Sequence, residues 1–187
     1  MHKEPDLGTL LLRLAREAIG ERLGFGMPLP STTPALREPG ATFVTLLHSG
    51  DLRGCIGTVS AWRPLAEDVR ANAVAAAFQD PRFPPLANDE FGGLAVEVSL
   101  LASPVPMSVG DEMSALAQLR PGVDGVVLEC GRNRATFLPQ VWNQLPQPRD
   151  FMAALKRKAG LSERYWGPDV RLSRYEVRKF VEETVLP

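Results

Sequence analysis

The feature that most restricts how this chain can fold is a pair of glycines set inside an extended apolar stretch. Leu52-Arg53-Gly54-Cys55-Ile56-Gly57 follows the turn-forming Ser49-Gly50-Asp51, which in turn follows an apolar run from Ala41 to His48. Two such runs joined by a short turn read as a β-hairpin. Glycine weakens a strand interior and gives it no side chain to pack, so Gly54 and Gly57 mark places where another backbone or a ligand comes close. In a regular strand, alternation puts Arg53, Cys55 and Gly57 on one face and Leu52, Gly54 and Ile56 on the other. An arginine two residues from a cysteine on the same face would stabilise the thiolate, the reactive form. The same cysteine also fits as a small buried hydrophobe. The strand is expected in the sheet interior, paired with residues 42–48.

The rest of the chain supplies helices around further hairpins. Leu7, Leu10, Leu11, Leu14, Ala18, Ile19 and Leu23 fall at helical spacing, predicting a helix over 6–24 with Asp6 as its cap and Gly24 at its end. Residues 25–40 are rich in proline and glycine and read as a long loop, or as the start of a smaller subdomain formed with neighbouring loops. Pro64 opens an alanine-rich helix that runs to about Phe78. Gln79 to Leu86 holds three prolines and is a rigid connector. Leu94 to Leu101 is a strand, with Glu97 and Ser99 on its polar face. A short helix (114–119), a second hairpin (123–130 and 135–138), two helices (139–145 and 151–159) and a last strand over 170–182 complete the reading. About five strands, mostly joined by hairpins, predict a single α+β domain with an antiparallel or mixed sheet and flanking helices.

Several functions are disfavoured by composition. A net charge of −1 gives no general attraction to nucleic acid or anionic membrane. No apolar run is long enough to span a bilayer, and the first residues lack a signal-peptide layout. The two cysteines make neither a disulfide framework nor a zinc-ligand spacing, so a cytoplasmic location with no metal and no cofactor is expected. Neither a Walker loop nor a dinucleotide-binding glycine motif is present.

Cys55 leads the candidates for chemistry, with Arg53 tuning it. A cysteine nucleophile needs a base within hydrogen-bond reach. His2 is terminal, and the role of His48 depends on hairpin register: it shares the Cys55 face with a two-residue Gly50-Asp51 loop and opposes Leu52 with a three-residue loop. Glu97 becomes a candidate base if its face is that of Cys55; otherwise Glu97 and Ser99 are surface residues. Asp80 and Arg82 flank Pro81 and either bind a substrate's planar group or form an ion pair that pins the loop. Asp124-Gly125 marks a tight bend. Trp142 and Trp166 suit a stacking pocket or the core. Cys130 is expected to be inert and unbridged.

The sequence resembles the AMMECR-type family, also called protein A of the AmmeMemoRadiSam system. The likeness rests on the hexapeptide Leu52–Gly57, on 76–86 (Ala-Ala-Phe-Gln-Asp-Pro-Arg-Phe-Pro-Pro-Leu), on Val96-Glu97-Val98-Ser99, on Pro121-Gly122-Val123-Asp124-Gly125, and on 136–142 (Thr-Phe-Leu-Pro-Gln-Val-Trp). It runs in order from about residue 6 to the C-terminus. The resemblance implies an α+β fold with a larger and a smaller subdomain and a cleft between them. It also implies association with a Memo-like protein and a radical SAM protein, a small-molecule or nucleotide ligand, and cysteine-dependent catalysis on a nucleotide, nucleic-acid or other small substrate. The expected catalytic residues are Cys55, Arg53 and Glu97; the expected ligand contacts are Gly54, Gly57, Asp80, Arg82, Ser99 and Asp124. The alternative is a non-catalytic accessory protein for the same partners.

Overall fold

The computed structural model describes residues 6–26 and 33–182. The fold is α+β, and the chain divides into two compact units. The first runs to Leu101 and resumes at Arg178; the second is Ala102–Val177. Residues 33–40, within the stretch read as a smaller subdomain, belong to the first unit; 27–32 and His2 lie outside the described residues.

In the first unit, α1 (Leu7–Arg22), α2 (Pro34–Arg37) and α3 (Leu65–Phe78) accompany strands β1 (Pro39–His48), β2 (Asp51–Gly57), β3 (Arg63–Pro64) and β4 (Leu94–Leu101). Asp6 caps α1 by accepting the Thr9 N–H at 3.2 Å. At the other end Gly24 takes φ +87°, and the N–H groups of Gly24 and Phe25 return to the carbonyls of Glu21 and Gly20, a Schellman closure. The sheet order is β2-β1-β4-β9, with β9 (Val177–Val181) at the far edge and β3 paired to β1. One face of the sheet is apolar: Val44, Leu46, Val96 and Val98 are fully buried with Leu10, Leu11 and Ile19 of α1 and Val69 and Ala73 of α3.

In the second unit the sheet order is β5-β8-β6-β7, formed by Val105–Pro106, Val170–Tyr175, Gly125–Cys130 and Asn133–Phe137. Helices α4 (Glu112–Gln118) and α5 (Pro148–Lys158) close its core. There Trp142 stacks on Phe151 with ring centroids 3.8 Å apart, so Trp142 is core. The single last strand expected over 170–182 is two strands, interrupted at Glu176, that join different sheets.

The hexapeptide is a strand paired with β1, as its sequence predicts, but β2 is an edge strand and not an interior one. Its turn is Ser49-Gly50, with φ +53° and +87°, the left-handed pair of a type I′ hairpin. His48 therefore pairs with Asp51, a register that neither expected loop produces.

Candidate functional site

A one-residue bulge decides which way Cys55 faces. Leu47 pairs with Leu52, yet Leu46 pairs with Gly54, so Arg53 is an extra residue without a partner on β1. Without it, the tight turn would place Cys55 opposite Val44, on the face that packs against α3. With it, Cys55 pairs with Thr45 and turns to the opposite face, half-buried. Gly54 takes the helix side instead. A Cβ there would overlap the Ala76 carbonyl of α3, so this glycine serves close backbone packing. Gly57 lies under the Phe43 ring in the same way.

The bulge also removes Arg53 from the Cys55 face. Arg53 is 9% exposed, and its guanidinium forks onto Glu90, with Nε–Oε1 at 2.6 Å and Nη2–Oε2 at 2.9 Å. That contact, with the Ala87 N–H at 2.9 Å, holds the Glu90 carboxyl at about 2. Arg53 thus ties β2 to the 3₁₀ turn Asn88–Gly93, and is not arranged to stabilise a thiolate.

Asp80 and Arg82 meet Cys55 at its backbone. Asp80 is buried and accepts the Cys55 N–H at 2.9 Å. Arg82 donates to Asp80 through Nη2 at 2.6 Å and Nε at 2.9 Å, and to the Cys55 carbonyl at 3.4 Å. The Arg82 guanidinium, opposed by burial, holds the Asp80 carboxyl well below the usual carboxylate range. Phe83 sits between the two arginines, 5.9 Å from Arg53 and 5.4 Å from Arg82. The stiff connector therefore lies against the hexapeptide's free edge, and its charges form the pinning ion pair.

Glu97 and Ser99 share the Cys55 face. Thr45 pairs with Cys55 on one side and with Glu97 on the other, and Phe43 pairs with Gly57 and Ser99. The Thr45 hydroxyl donates to the Cys55 sulfur at 3.3 Å. Glu97 is about two strand spacings, roughly 10 Å, from Cys55, and its carboxylate pairs with Lys179 of β9 at 2.6 Å. A polar row, Cys55–Thr45–Glu97–Lys179, thus crosses four strands. His48 points to the other face, against Gly93. No base touches the Cys55 thiol among the described residues.

Asp124 belongs to the second unit, where it is fully buried. It accepts from the Arg120 backbone N–H (2.9 Å) and guanidinium (2.6 Å), while its carbonyl takes the Trp142 indole N–H at 2.7 Å. Its polar atoms are spent on the bend. Cys130 is also in this unit and is a free thiol, donating to Asp169 at 3.0 Å. That hydrogen bond, together with burial, pushes its pKa up.

Sequence reasoning missed the most heavily bonded carboxylate among the described residues of the first unit. Asp68 of α3 is fully buried and accepts five hydrogen bonds, from the Thr42 N–H and hydroxyl, Thr58, Arg63 and Asn72. Arg63 immediately before the helix and an acidic residue in its first turn were the available signals. A cavity of about 700 Å³ lies between α1 and α3, lined among others by Glu21, Arg22, Glu67 and Arg70. One of about 370 Å³ lies beside Cys130 and Asp169. Neither is lined by a hexapeptide residue. Among the described residues no three His, Cys, Asp or Glu side chains converge as a metal-binding group, and no helix is long and apolar enough to cross a membrane.

These features define an α+β protein organised on a bulged, glycine-bracketed cysteine hairpin. The chain belongs to the AMMECR1 family, whose profile matches residues 12–180. A protein of Methanothermobacter thermautotrophicus is 36% identical over 183 residues, 95% of each chain. One of Thermococcus gammatolerans is 37% identical over 192 residues, covering 95% of this chain and 91% of that one. The crystal structure of the uncharacterised protein PH0010 from Pyrococcus horikoshii superposes with a TM-score of 0.76 at 35% identity, covering 94% of this chain and 91% of that one.

Proposed function

We propose that this chain is a non-catalytic binding component, an accessory to a Memo-like protein and a radical SAM protein in a reducing cytoplasm. One observation carries the reading: the charged residues of the hexapeptide and its connector are engaged in ion pairs that help hold the fold. Arg53 pairs with Glu90 and Arg82 with Asp80, and among the described residues the thiol they would activate has only Thr45 as a hydrogen-bond partner. Nucleophilic cysteines are set up differently, with an oriented base in contact. The test is calorimetric titration of the chain with each purified partner, then with Cys55→Ser. A complex whose affinity survives Cys55→Ser supports the reading; absence of a complex with both partners overturns it.

A second reading has its own support in the row Cys55–Thr45–Glu97–Lys179. A thiol and a carboxylate on one half-buried sheet face are the groups a cysteine-dependent enzyme would present to a nucleotide or other small substrate, with Ser99 alongside. Alkylation rate against pH separates the two. Rapid labelling of Cys55 near neutral pH would favour the enzyme; labelling no faster than that of an ordinary thiol favours the binding component.

A further inference from the structure

The Asp169 carboxylate of the second unit is fixed in place without being neutralised. Its Oδ2 accepts from the Cys130 thiol at 3.0 Å and its Oδ1 from the Tyr165 hydroxyl at 2.7 Å. Gly167 keeps the backbone clear of this arrangement: a Cβ there would lie 2.7 Å from the Tyr165 oxygen and 2.9 Å from Asp169 Oδ1. Both donors are neutral. Asp68, Asp80, Glu90 and Asp124, the carboxylates that fasten the fold, each take an arginine. Asp169 has no ion pair among the described residues. The hydrogen bonds from Cys130 and Tyr165 hold its carboxyl below the usual range, so its charge is present at neutral pH. The same contacts push the Cys130 thiol up and Tyr165 up to about 12, so both stay protonated as donors.

Asp169 lines the cavity of about 370 Å³ together with Glu129, Cys130, Gly131 and Arg171, a volume suited to a small molecule. Arg171 is exposed and has no hydrogen-bond or ion-pair partner among the described residues. Glu129, opposite it in register, pairs with Arg134 at 3.2 Å instead. One cavity thus presents an uncommitted anion and an uncommitted cation that do not pair with each other. We propose that it binds a free α-amino acid, with the ligand's ammonium on Asp169 and its carboxylate on Arg171. A carboxylate has about four acceptor positions, and the thiol and phenol use two, which leaves acceptors for an ammonium. The guanidinium offers a planar fork that matches a carboxylate. The two charges stand two residues apart in the chain, so the ligand's own charges must be close together, as they are around an α-carbon. A phosphate would meet the Asp169 charge inside the same cavity, which disfavours a nucleotide. The site involves no residue of the hexapeptide and goes beyond the binding-component reading.

The test is an amide-resolved NMR titration of the full chain, first with an equimolar mixture of the common L-amino acids and then with each component. Methylammonium and acetate, which each carry one of the two charges, are titrated alongside. Saturable shifts at the Gly131, Asp169 and Arg171 amides are expected with at least one amino acid, and methylammonium and acetate are each expected to bind about tenfold more weakly or worse. Arg171→Gln, at an exposed and unpaired position, is expected to weaken binding about tenfold or more with the rest of the spectrum unchanged. Asp169→Asn is expected to do the same to binding. Arg149→Gln, at an exposed arginine of α5, serves as the control and leaves affinity unaltered. Absence of saturable shifts with the mixture overturns the inference. So does methylammonium or acetate binding as tightly as the amino acid, and so does wild-type affinity in Arg171→Gln. None of these results bears on the binding-component reading, which stands or falls on the titrations with the partner proteins.

Discussion

The Asp80 carboxylate accepts the backbone N–H of Cys55 at 2.9 Å, while Arg82, bonded to that carboxylate, reaches the Cys55 carbonyl at 3.4 Å. A neighbouring strand would accept from that N–H and donate to that carbonyl; here a side-chain pair does both. Edge strands expose unpaired groups that template association with other chains, and a covering loop is one way to prevent it. Asp80→Ala removes the acceptor and leaves both the N–H and the guanidinium uncompensated. A loss of about 2 kcal/mol in urea unfolding is expected, with faster hydrogen exchange at the Cys55 amide. Unchanged exchange at that amide would show that the pair does not close the edge.

The same connector should make the first unit acid-sensitive. Glu90 is held at about 2 by Arg53, and Asp80 is held down by Arg82. Both carboxyls are depressed in the folded state. Their stabilisation is therefore fully present above the ordinary values of 4.5 and 3.8, and is lost as pH falls through the folded values. Unfolding free energy is expected to drop as pH falls below about 4.5, and Glu90→Gln is expected to flatten part of that drop. An identical slope between pH 4.5 and 2.5 in wild type and Glu90→Gln would contradict this.

What was legible in the sequence was the chemistry that acts locally. The Asp6 cap, the Gly24 closure, the existence of a hairpin turning at residues 49–51 (though not its register) and the stiff connector each depend on a few adjacent residues, and each was readable. What was not legible depended on partners far along the chain. The bulge at Arg53 is stabilised by Ala76 passing behind Gly54 and by Glu90 receiving the guanidinium, so simple alternation put Arg53 on the wrong face. The edge position of β2 follows from sheet order, which its own residues do not encode. The strand over 170–182 reads as continuous because nothing in its composition marks a change of sheet at Glu176. Asp68 escaped notice because acidic residues are ordinary in a first helical turn; only the fold brings Thr42, Thr58, Arg63 and Asn72 around it.

Gly54 tests the bulge directly. Its α-carbon faces the Ala76 carbonyl so closely that no side chain fits without moving backbone on one side. Gly54→Ala is expected to cost about 3 kcal/mol, at the upper end for overpacking. Gly50→Ala, strained only by its φ of +87° in an open turn, is expected to cost about 1 kcal/mol. Urea unfolding of the two variants gives the comparison. Equal losses would mean that β2 can shift away from α3, and that the register is less constrained than the contact implies.

Glu17 gives the last prediction, with the opposite pH sign. It lies on α1 at 4% exposure, and its Oε2 has no hydrogen-bond partner among the described residues. Arg70 of α3 is nearby but bonds Glu21 instead, and its own buried Nη1 has no hydrogen-bond partner among the described residues. Burial raises the Glu17 pKa, and the charges of Arg13 and Arg70 offset this only in part. A group whose folded pKa is raised contributes stability below its unfolded value and loses it as pH rises through the folded one. At neutral pH the ionised carboxylate is therefore a net cost. Glu17→Gln is expected to raise stability by about 1 kcal/mol at pH 7, with the gain shrinking toward zero near pH 4. Urea unfolding at the two pH values decides it. A variant that is less stable at pH 7 than at pH 4, relative to wild type, would mean that the charge of Glu17 is stabilising through its neighbouring arginines.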